Sequence, residues 1–145
     1  MPTKVVRYRA GEMFSSHTDY FERDRAGRLV EGDQESGQRV YTGFAYLNDV
    51  FEGGHTDFPL LNISVKPIMG ALLLWKNVAS APWGAGSPVG TGRFNQPLVG
   101  DPRTVHSGAI VHSGEKLGCN IWVTERPHEL YRAAHVGSHP HSEKN

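Results

Sequence analysis

The stretch KLGCNIWV at residues 116–123 alternates between two kinds of side chain, a pattern typical of a β-strand with two different faces. One face is apolar and is predicted to pack in the core, and it consists of Leu117, Cys119, Ile121 and Val123. The other face mixes a cation, open space, an amide and an aromatic ring, in Lys116, Gly118, Asn120 and Trp122. This second face predicts a ligand pocket, and the alternative is a solvated strand face with one ordinary lysine.

Other short segments also have strand composition and are separated by turn residues. The predicted strands lie at 5–8, 16–20, 39–47, 55–58, 63–66, 71–75, 104–107 and 117–123. Tight reversals are predicted at Glu52-Gly53-Gly54 and Ser113-Gly114-Glu115. Since no long helical apolar stripe is present, we expect a mainly β fold, a double-stranded β-helix (jelly roll) of about eight strands with few short helices.

The chain length of 145 residues predicts one domain, 1–145, with a flexible tail at 129–145. A segment rich in Gly and Pro, 78–103, is predicted to be a long loop, and both simple flexibility and a role as a substrate-facing lid stay open. The chain begins almost directly in a predicted strand. This start leaves open whether N-terminal helices are missing.

The charge pattern excludes several partner classes. Fifteen basic side chains balance fifteen acidic ones without a charge run, so we expect neither a nucleic-acid partner nor an anionic membrane partner.

A single cysteine, Cys119, cannot form an internal disulfide. The sequence shows neither a secretory signal nor an apolar stretch of roughly 18 residues, so a soluble chain is expected and its compartment is unassigned.

Two histidines and one aspartate have the pattern of a metal site. His17 and Asp19 form an H-x-D pair, and His106 follows 89 residues after His17. Two imidazoles and one carboxylate can hold one face of Fe(II) and leave the other positions open for substrate and oxygen.

Other histidines compete for these roles. The triplet His-Thr-Asp recurs at 55–57. Roughly six or seven strands fit between His17 and His106, but only about four fit between His55 and His106. Since a jelly-roll metal site takes its H-x-D pair from an early strand and its last histidine from a late one, this count favours the first pair. His55 is then expected to be exposed after the turn, and His112 remains an alternative to His106. The remaining histidines are predicted to lie on the surface or in the tail, and they are His128, His135, His139 and His141.

These residues resemble the prolyl 4-hydroxylase branch of the Fe(II)- and 2-oxoglutarate-dependent dioxygenases over nearly the whole chain. The matching positions are Tyr8, Gly11, 17–21, Arg39, 46–50, 53–59, Pro67, 70–74, Asn77, 101–102, 105–108, Val111, 114–116 and Trp122. In the family's Gly-Gly-x-Thr-x-Phe-Pro motif, the residue at the position of His55 is free to vary. The resemblance therefore implies that the second His-Thr-Asp is coincidental.

The resemblance implies a role for each matching residue. His17, Asp19 and His106 would bind Fe(II), and Lys116 would pair with the distal carboxylate of 2-oxoglutarate. Tyr8 and Thr56 would hydrogen-bond the same cosubstrate, and Arg39 and Trp122 would contact the peptide substrate. The alternatives for the last two are an ion-paired surface arginine and a core tryptophan.

The implied reaction is hydroxylation of peptidyl proline at C4, with O2 consumed and 2-oxoglutarate decarboxylated oxidatively to succinate and CO2. L-ascorbate is implied as a reductant, and members of the family often reside in the endoplasmic reticulum. The long loop, Asn120 and Asp57 depart from the family pattern and leave the peptide unidentified. Two alternatives remain, a 2-oxoglutarate oxygenase of the same fold with a non-proline substrate and a non-catalytic metal-binding jelly roll.

Overall fold

The computed structural model describes residues 3–26, 28–32, 35–79 and 98–126. These residues contain two short 3-10 helices, Pro59–Leu61 and Pro102–Thr104, and ten strands. The strands are β1 (Thr3–Arg9), β2 (Phe14–His17), β3 (Arg39–Tyr46), β4 (Glu52–Gly53), β5 (Thr56–Phe58), β6 (Ile63–Val65), β7 (Leu72–Lys76), β8 (His106–Gly108), β9 (Val111–Ser113) and β10 (Glu115–Thr124). The predicted tail, most of the predicted 78–103 loop and the four predicted surface histidines lie outside the described residues.

Two antiparallel four-stranded sheets make up the fold. The major sheet has the order β1-β10-β3-β7, and the minor sheet has the order β2-β8-β5-β6. A small ribbon pairs β4 with β9. Phe58 of the minor sheet contacts Trp75 of the major sheet, with ring centroids 5.4 Å apart. The double-sheet arrangement confirms the predicted jelly roll.

Two predicted strands that carry site residues have shifted bounds. The strand predicted at 16–20 ends at His17, because its pairing with β8 is irregular between Phe14 and His17, and Asp19 lies in a bend beyond it. The strand predicted at 104–107 begins at His106, because Pro102 opens a 3-10 helix. The Asp101 carboxylate caps this helix by accepting a hydrogen bond from the Arg103 N–H at 3.0 Å.

The two predicted reversals are only partly correct. Residues within both segments form the strands β4 and β9, which pair with each other. The glycines still provide the turn chemistry, because Gly53 and Gly114 have φ values of +82° and +78°. A side chain at Gly53 would also overlap the Ile110 carbonyl oxygen.

The prediction of which face of β10 is interior was wrong. Lys116 and Gly118 are buried, whereas the face predicted as core, Leu117, Cys119, Ile121 and Val123, is half-buried or exposed. The alternation itself is correct, but the minor sheet packs against the polar face, so that face is interior. The outer face of the major sheet is apolar and open among the described residues, with Val5 66% and Leu74 60% exposed.

Buried aromatic residues on β3 fill the space between the sheets. Thr42, Phe44 and Tyr46 alternate along this strand and all are buried. Within the described residues, no helix reaches the length and apolarity needed to cross a lipid bilayer.

Candidate metal and cosubstrate site

The pairing of two strands brings two imidazoles together. His17 at the end of β2 and His106 at the start of β8 are direct cross-strand partners, and their rings lie 4.3 Å apart. The bend after β2 brings Asp19 to the same point. Its Oδ1 lies 3.7 Å from His17 Nε2, and its Oδ2 lies 3.9 Å from His106 Nε2.

The two imidazoles present the same nitrogen to this point. His17 Nδ1–H donates to the Ser15 carbonyl at 2.8 Å, and His106 Nδ1–H donates to the Thr104 carbonyl at 2.9 Å. Since a carbonyl only accepts, each Nδ1 carries a proton, and each Nε2 is the ring nitrogen that is directed toward the shared point and can bind a metal. Burial lowers the pKa of His106, which favours the neutral ligand form.

The three side chains fit a facial Fe(II) site. One ligand atom from each of His17, Asp19 and His106 lies within 4.8 Å of the others, and no other trio of His, Cys, Asp or Glu meets this condition in the described part of the chain. Two neutral nitrogens and one carboxylate oxygen are the donors that non-haem Fe(II) takes when it keeps open positions.

The competing histidines lie elsewhere. His55 is half-buried rather than exposed as predicted, and it lines a separate cavity of about 290 Å³ with Asp49 and Glu52. Asp57, the acid of the second triplet, accepts a hydrogen bond from Ser64 Oγ at 2.5 Å. His112 is exposed on β9. The structure therefore brings together the first His-Thr-Asp with His106 and leaves the second triplet apart.

Lys116 is a buried cation, only 2% exposed. Its Nζ donates to the Gly54 carbonyl at 2.5 Å. The rings of Phe44, Tyr46 and Tyr8 surround Nζ at 5.2, 5.6 and 5.8 Å.

No carboxylate in the described residues forms an ion pair with this ammonium group. Burial lowers the pKa of Lys116 to about 8, and the charge of Asp57 only partly opposes the effect. A buried ammonium group without a counter-ion is costly. The side chain therefore fits a ligand that brings its own carboxylate, as 2-oxoglutarate does.

Glycine at position 118 makes room for this arrangement. A side chain there would overlap the Phe44 ring, which lies against the Lys116 ammonium group. The glycine on the pocket face of β10 is therefore a packing requirement.

Tyr8 and Thr56, the two predicted cosubstrate contacts, line the same cavity as Lys116. Tyr8 is the cross-strand partner of Lys116, and burial raises its pKa. Thr56 is buried, and its Oγ1 lies 2.7 Å from the Tyr46 hydroxyl. No role is predicted for Tyr46 from the sequence, although alternation with Thr42 and Phe44 puts it on the same face of β3.

Arg39 and Trp122 form a stacked wall. The Arg39 guanidinium lies between the rings of Phe21 and Trp122, at 4.5 and 4.0 Å from their centroids. Arg39 has no ion-pair partner within 4.0 Å among the described residues, and Trp122 is only half-buried. Burial lowers the pKa of Arg39, and the nearby Asp19 charge opposes this.

All eight predicted site residues line one cavity of about 580 Å³ between the two sheets. They are Tyr8, His17, Asp19, Arg39, Thr56, His106, Lys116 and Trp122. Phe14 and Trp75 also line this cavity, and the sequence predicts no role for them. Asn120 lines it too, and it is predicted only to lie on the pocket face of β10. The metal donors, the unpaired cation and the aromatic wall therefore face the same space.

The chain is similar to several proteins whose names state a chemistry that fits this site. The sequence profile of the 2OG-Fe(II) oxygenase superfamily matches residues 3–124. A putative prolyl 4-hydroxylase of Acanthamoeba polyphaga mimivirus is 33% identical over 123 residues, which cover 85% of this chain and 44% of that protein. Prolyl 4-hydroxylase 1 of Arabidopsis thaliana is 34% identical over 137 residues, with 85% and 40% covered.

A solved structure is similar over the same region. The viral collagen prolyl hydroxylase vCPH of Paramecium bursaria Chlorella virus-1, in its 2OG complex, superposes with a TM-score of 0.62 at 28% identity, covering 84% of this chain and 57% of that one. The chain thus spans less than half the length of the two curated relatives named above. With the profile matched over residues 3–124, the chain belongs to the 2OG-Fe(II) oxygenase superfamily, as a prolyl 4-hydroxylase-like member.

Proposed function

We propose that this chain is a single catalytic domain that hydroxylates peptidyl proline at C4. The overall reaction consumes O2 and 2-oxoglutarate and releases succinate and CO2 with the hydroxylated peptide. One observation carries the proposal. The His17, Asp19 and His106 donors share a cavity with a buried lysine whose ion-pair partner is absent among the described residues.

Each group of residues has a role in this proposal. His17, Asp19 and His106 hold Fe(II), and Lys116 holds the distal carboxylate of 2-oxoglutarate. Bound Fe(II) and 2-oxoglutarate supply the oxidising chemistry, with L-ascorbate as reductant. The aromatic rings around Lys116 exclude water from the charge pair, which strengthens it.

Arg39 and Trp122 provide the peptide contact in this proposal. The stacked guanidinium and indole present a flat surface at the cavity, and an aromatic face suits a proline ring. Because the stack holds both side chains in place, little conformational entropy is lost when a peptide binds. The relatives named for prolyl hydroxylation support proline as the target.

The experiment is a peptide assay on the 145-residue chain with Fe(II), 2-oxoglutarate and ascorbate. A proline-rich peptide should gain 16 Da on proline, and one succinate should appear for each hydroxyl group formed. A matched peptide with every Pro replaced by Ala should give only background succinate. Asp19→Asn should remove both signals, because it replaces the anionic metal ligand with an amide.

The same assay separates the alternatives. Slow succinate release that no proline peptide stimulates would favour a non-proline substrate, since such an enzyme shares the metal and cosubstrate residues. Metal binding without any succinate release would favour the non-catalytic jelly roll.

A further inference from the structure

Two buried polar side chains lie behind the proposed metal carboxylate. Thr42 Oγ1 donates to Asp19 Oδ2 at 2.7 Å, and Asn77 Nδ2 donates to Thr42 Oγ1 at 2.8 Å. Thr42 and Asn77 are both 0% exposed, and neither lines the cavity. They therefore cannot contact substrate, and any effect they have on the site passes through Asp19.

The direction of this chain of hydrogen bonds follows from its chemistry. An ionised carboxylate only accepts, so the single Thr42 hydroxyl proton points to Asp19. The Thr42 oxygen can then only accept a further bond, and it does so from the Asn77 amide. The opposite rotamer of the amide would bring two oxygens together with no proton between them.

The main chain of Asn77 is also linked, through a series of hydrogen bonds, to His106 of the proposed metal site. Its N–H donates to the Val40 carbonyl at 2.8 Å, and its carbonyl accepts from the Asp101 N–H at 2.9 Å. The Asp101 carbonyl in turn accepts from Thr104 Oγ1 at 2.7 Å. The carbonyl of that threonine orients His106. Asn77 is thus linked through intervening hydrogen-bonded residues to both Asp19 and His106.

The hydrogen-bonded pair of Thr42 and Asn77 lowers the stability of the fold, so packing alone does not explain its presence. Asn77 Oδ1 is buried and has no hydrogen-bond partner in the described structure. A buried polar group without a partner is unfavourable, whereas an apolar pair of the same shape would avoid this cost. Asp19 also lies beyond the end of β2, so no strand ladder holds it in place. A side-chain support is therefore needed at this ligand.

We propose that Thr42 and Asn77 are positioning residues that fix the rotation of the Asp19 carboxylate, engaging Oδ2 and leaving Oδ1 as the metal-binding oxygen. The inference rests on the metal site of the proposed function. A carboxylate that offers one oxygen leaves more metal positions for cosubstrate and oxygen than one that offers two.

The test is titration of the metal-free chain with Co(II), following its visible absorption bands. Thr42→Val keeps the shape and removes the hydroxyl, and it should weaken Co(II) binding about 10- to 100-fold and change the bands. Thr42→Ser keeps the hydroxyl and should stay within roughly threefold of wild type. A Thr42→Val variant with wild-type affinity and spectrum would overturn the inference, whatever its melting temperature.

Asn77 is tested by its dependence on Thr42. Asn77→Asp keeps the shape but replaces the donor with an acceptor, so it should weaken Co(II) binding at least about threefold. In the Thr42→Val background the same change should have no further effect, because its route to Asp19 is already lost. Independent, additive losses would refute the relay. If Thr42→Val does not fold, unchanged affinity in Asn77→Asp alone refutes it.

Failure here is separable from failure of the proposed function. Wild-type chain that binds Co(II) through His17 and Asp19 but releases no succinate would refute the enzyme and leave this inference standing. Wild-type chain that binds no Co(II) would refute both.

Discussion

Lys116→Met should make the ligand-free protein more stable while it abolishes 2-oxoglutarate binding. Burial lowers the pKa of Lys116 from 10.5 to about 8. Since one pKa unit corresponds to about 1.4 kcal/mol, keeping the ammonium charged costs the folded state about 3 kcal/mol at pH 7. Methionine fills a similar volume without charge, and losing the hydrogen bond to Gly54 gives back about 1 kcal/mol. The expected net gain is about 2 kcal/mol, a rise in Tm of roughly 4–8 °C.

The pH dependence provides a second, independent signature. Between pH 8 and 10.5 the unfolded chain holds a proton on Lys116 that the folded chain has lost. The contribution of this group to wild-type stability therefore rises with pH across that window, and Lys116→Met removes that rise. Lys66→Met replaces an exposed lysine and serves as the matched control, with Tm nearly unchanged.

The assay is thermal unfolding of the ligand-free protein, repeated anaerobically with Mn(II) and 2-oxoglutarate. At a cosubstrate concentration 100 times its Kd, wild type should gain about 2.7 kcal/mol, and Lys116→Met should gain almost nothing. A Lys116→Met protein that melts below wild type would refute the account of Lys116 as an unpaired buried charge. Undiminished stabilisation by 2-oxoglutarate would remove this residue from the cosubstrate site.

Three further outcomes follow from the site. His17→Ala should abolish succinate release while His55→Ala retains most of it, and equal loss from both would reverse the choice between the two His-Thr-Asp triplets. The Kd for 2-oxoglutarate should rise as pH increases above about 8, because the neutral Lys116 amine no longer pairs with a carboxylate, whereas Lys116→Arg should show no such rise. Arg39→Ala should raise the peptide KM by about tenfold, a loss of about 1.4 kcal/mol, with little change in peptide-independent succinate release; an unchanged KM would exclude Arg39 from the peptide contact.

The residues with demanding chemistry could be predicted from the sequence. Few side chains bind Fe(II), so His17 and Asp19 stand out by type and spacing. Lys116 stands out because a cation beside a glycine and an indole is unusual on a strand face. The jelly roll could also be predicted, because eight short segments of strand composition are separated by turn residues and no long helical apolar stripe is present.

Burial could not be predicted at the site itself. The usual association of apolar side chains with the interior reversed the two faces of β10, because this interior contains a polar cavity. Thr42 and Tyr46 act through partners distant in the chain, Asp19 and Thr56, and nothing local to β3 marks those contacts. The bend that carries Asp19 depends on where β2 stops pairing with β8, which is a property of two strands rather than one.

The direct pairing of His17 with His106 has a mechanical consequence. Their strands are short, four and three residues, and their register is irregular. An ion held by both imidazoles would cross-link segments far apart in the chain, and because the unfolded chain has no preformed site, the free energy of metal binding would stabilise the folded state. Hydrogen exchange of the β2 amides should therefore slow sharply when metal is added, and chelation should loosen this edge of the minor sheet before the rest of the fold.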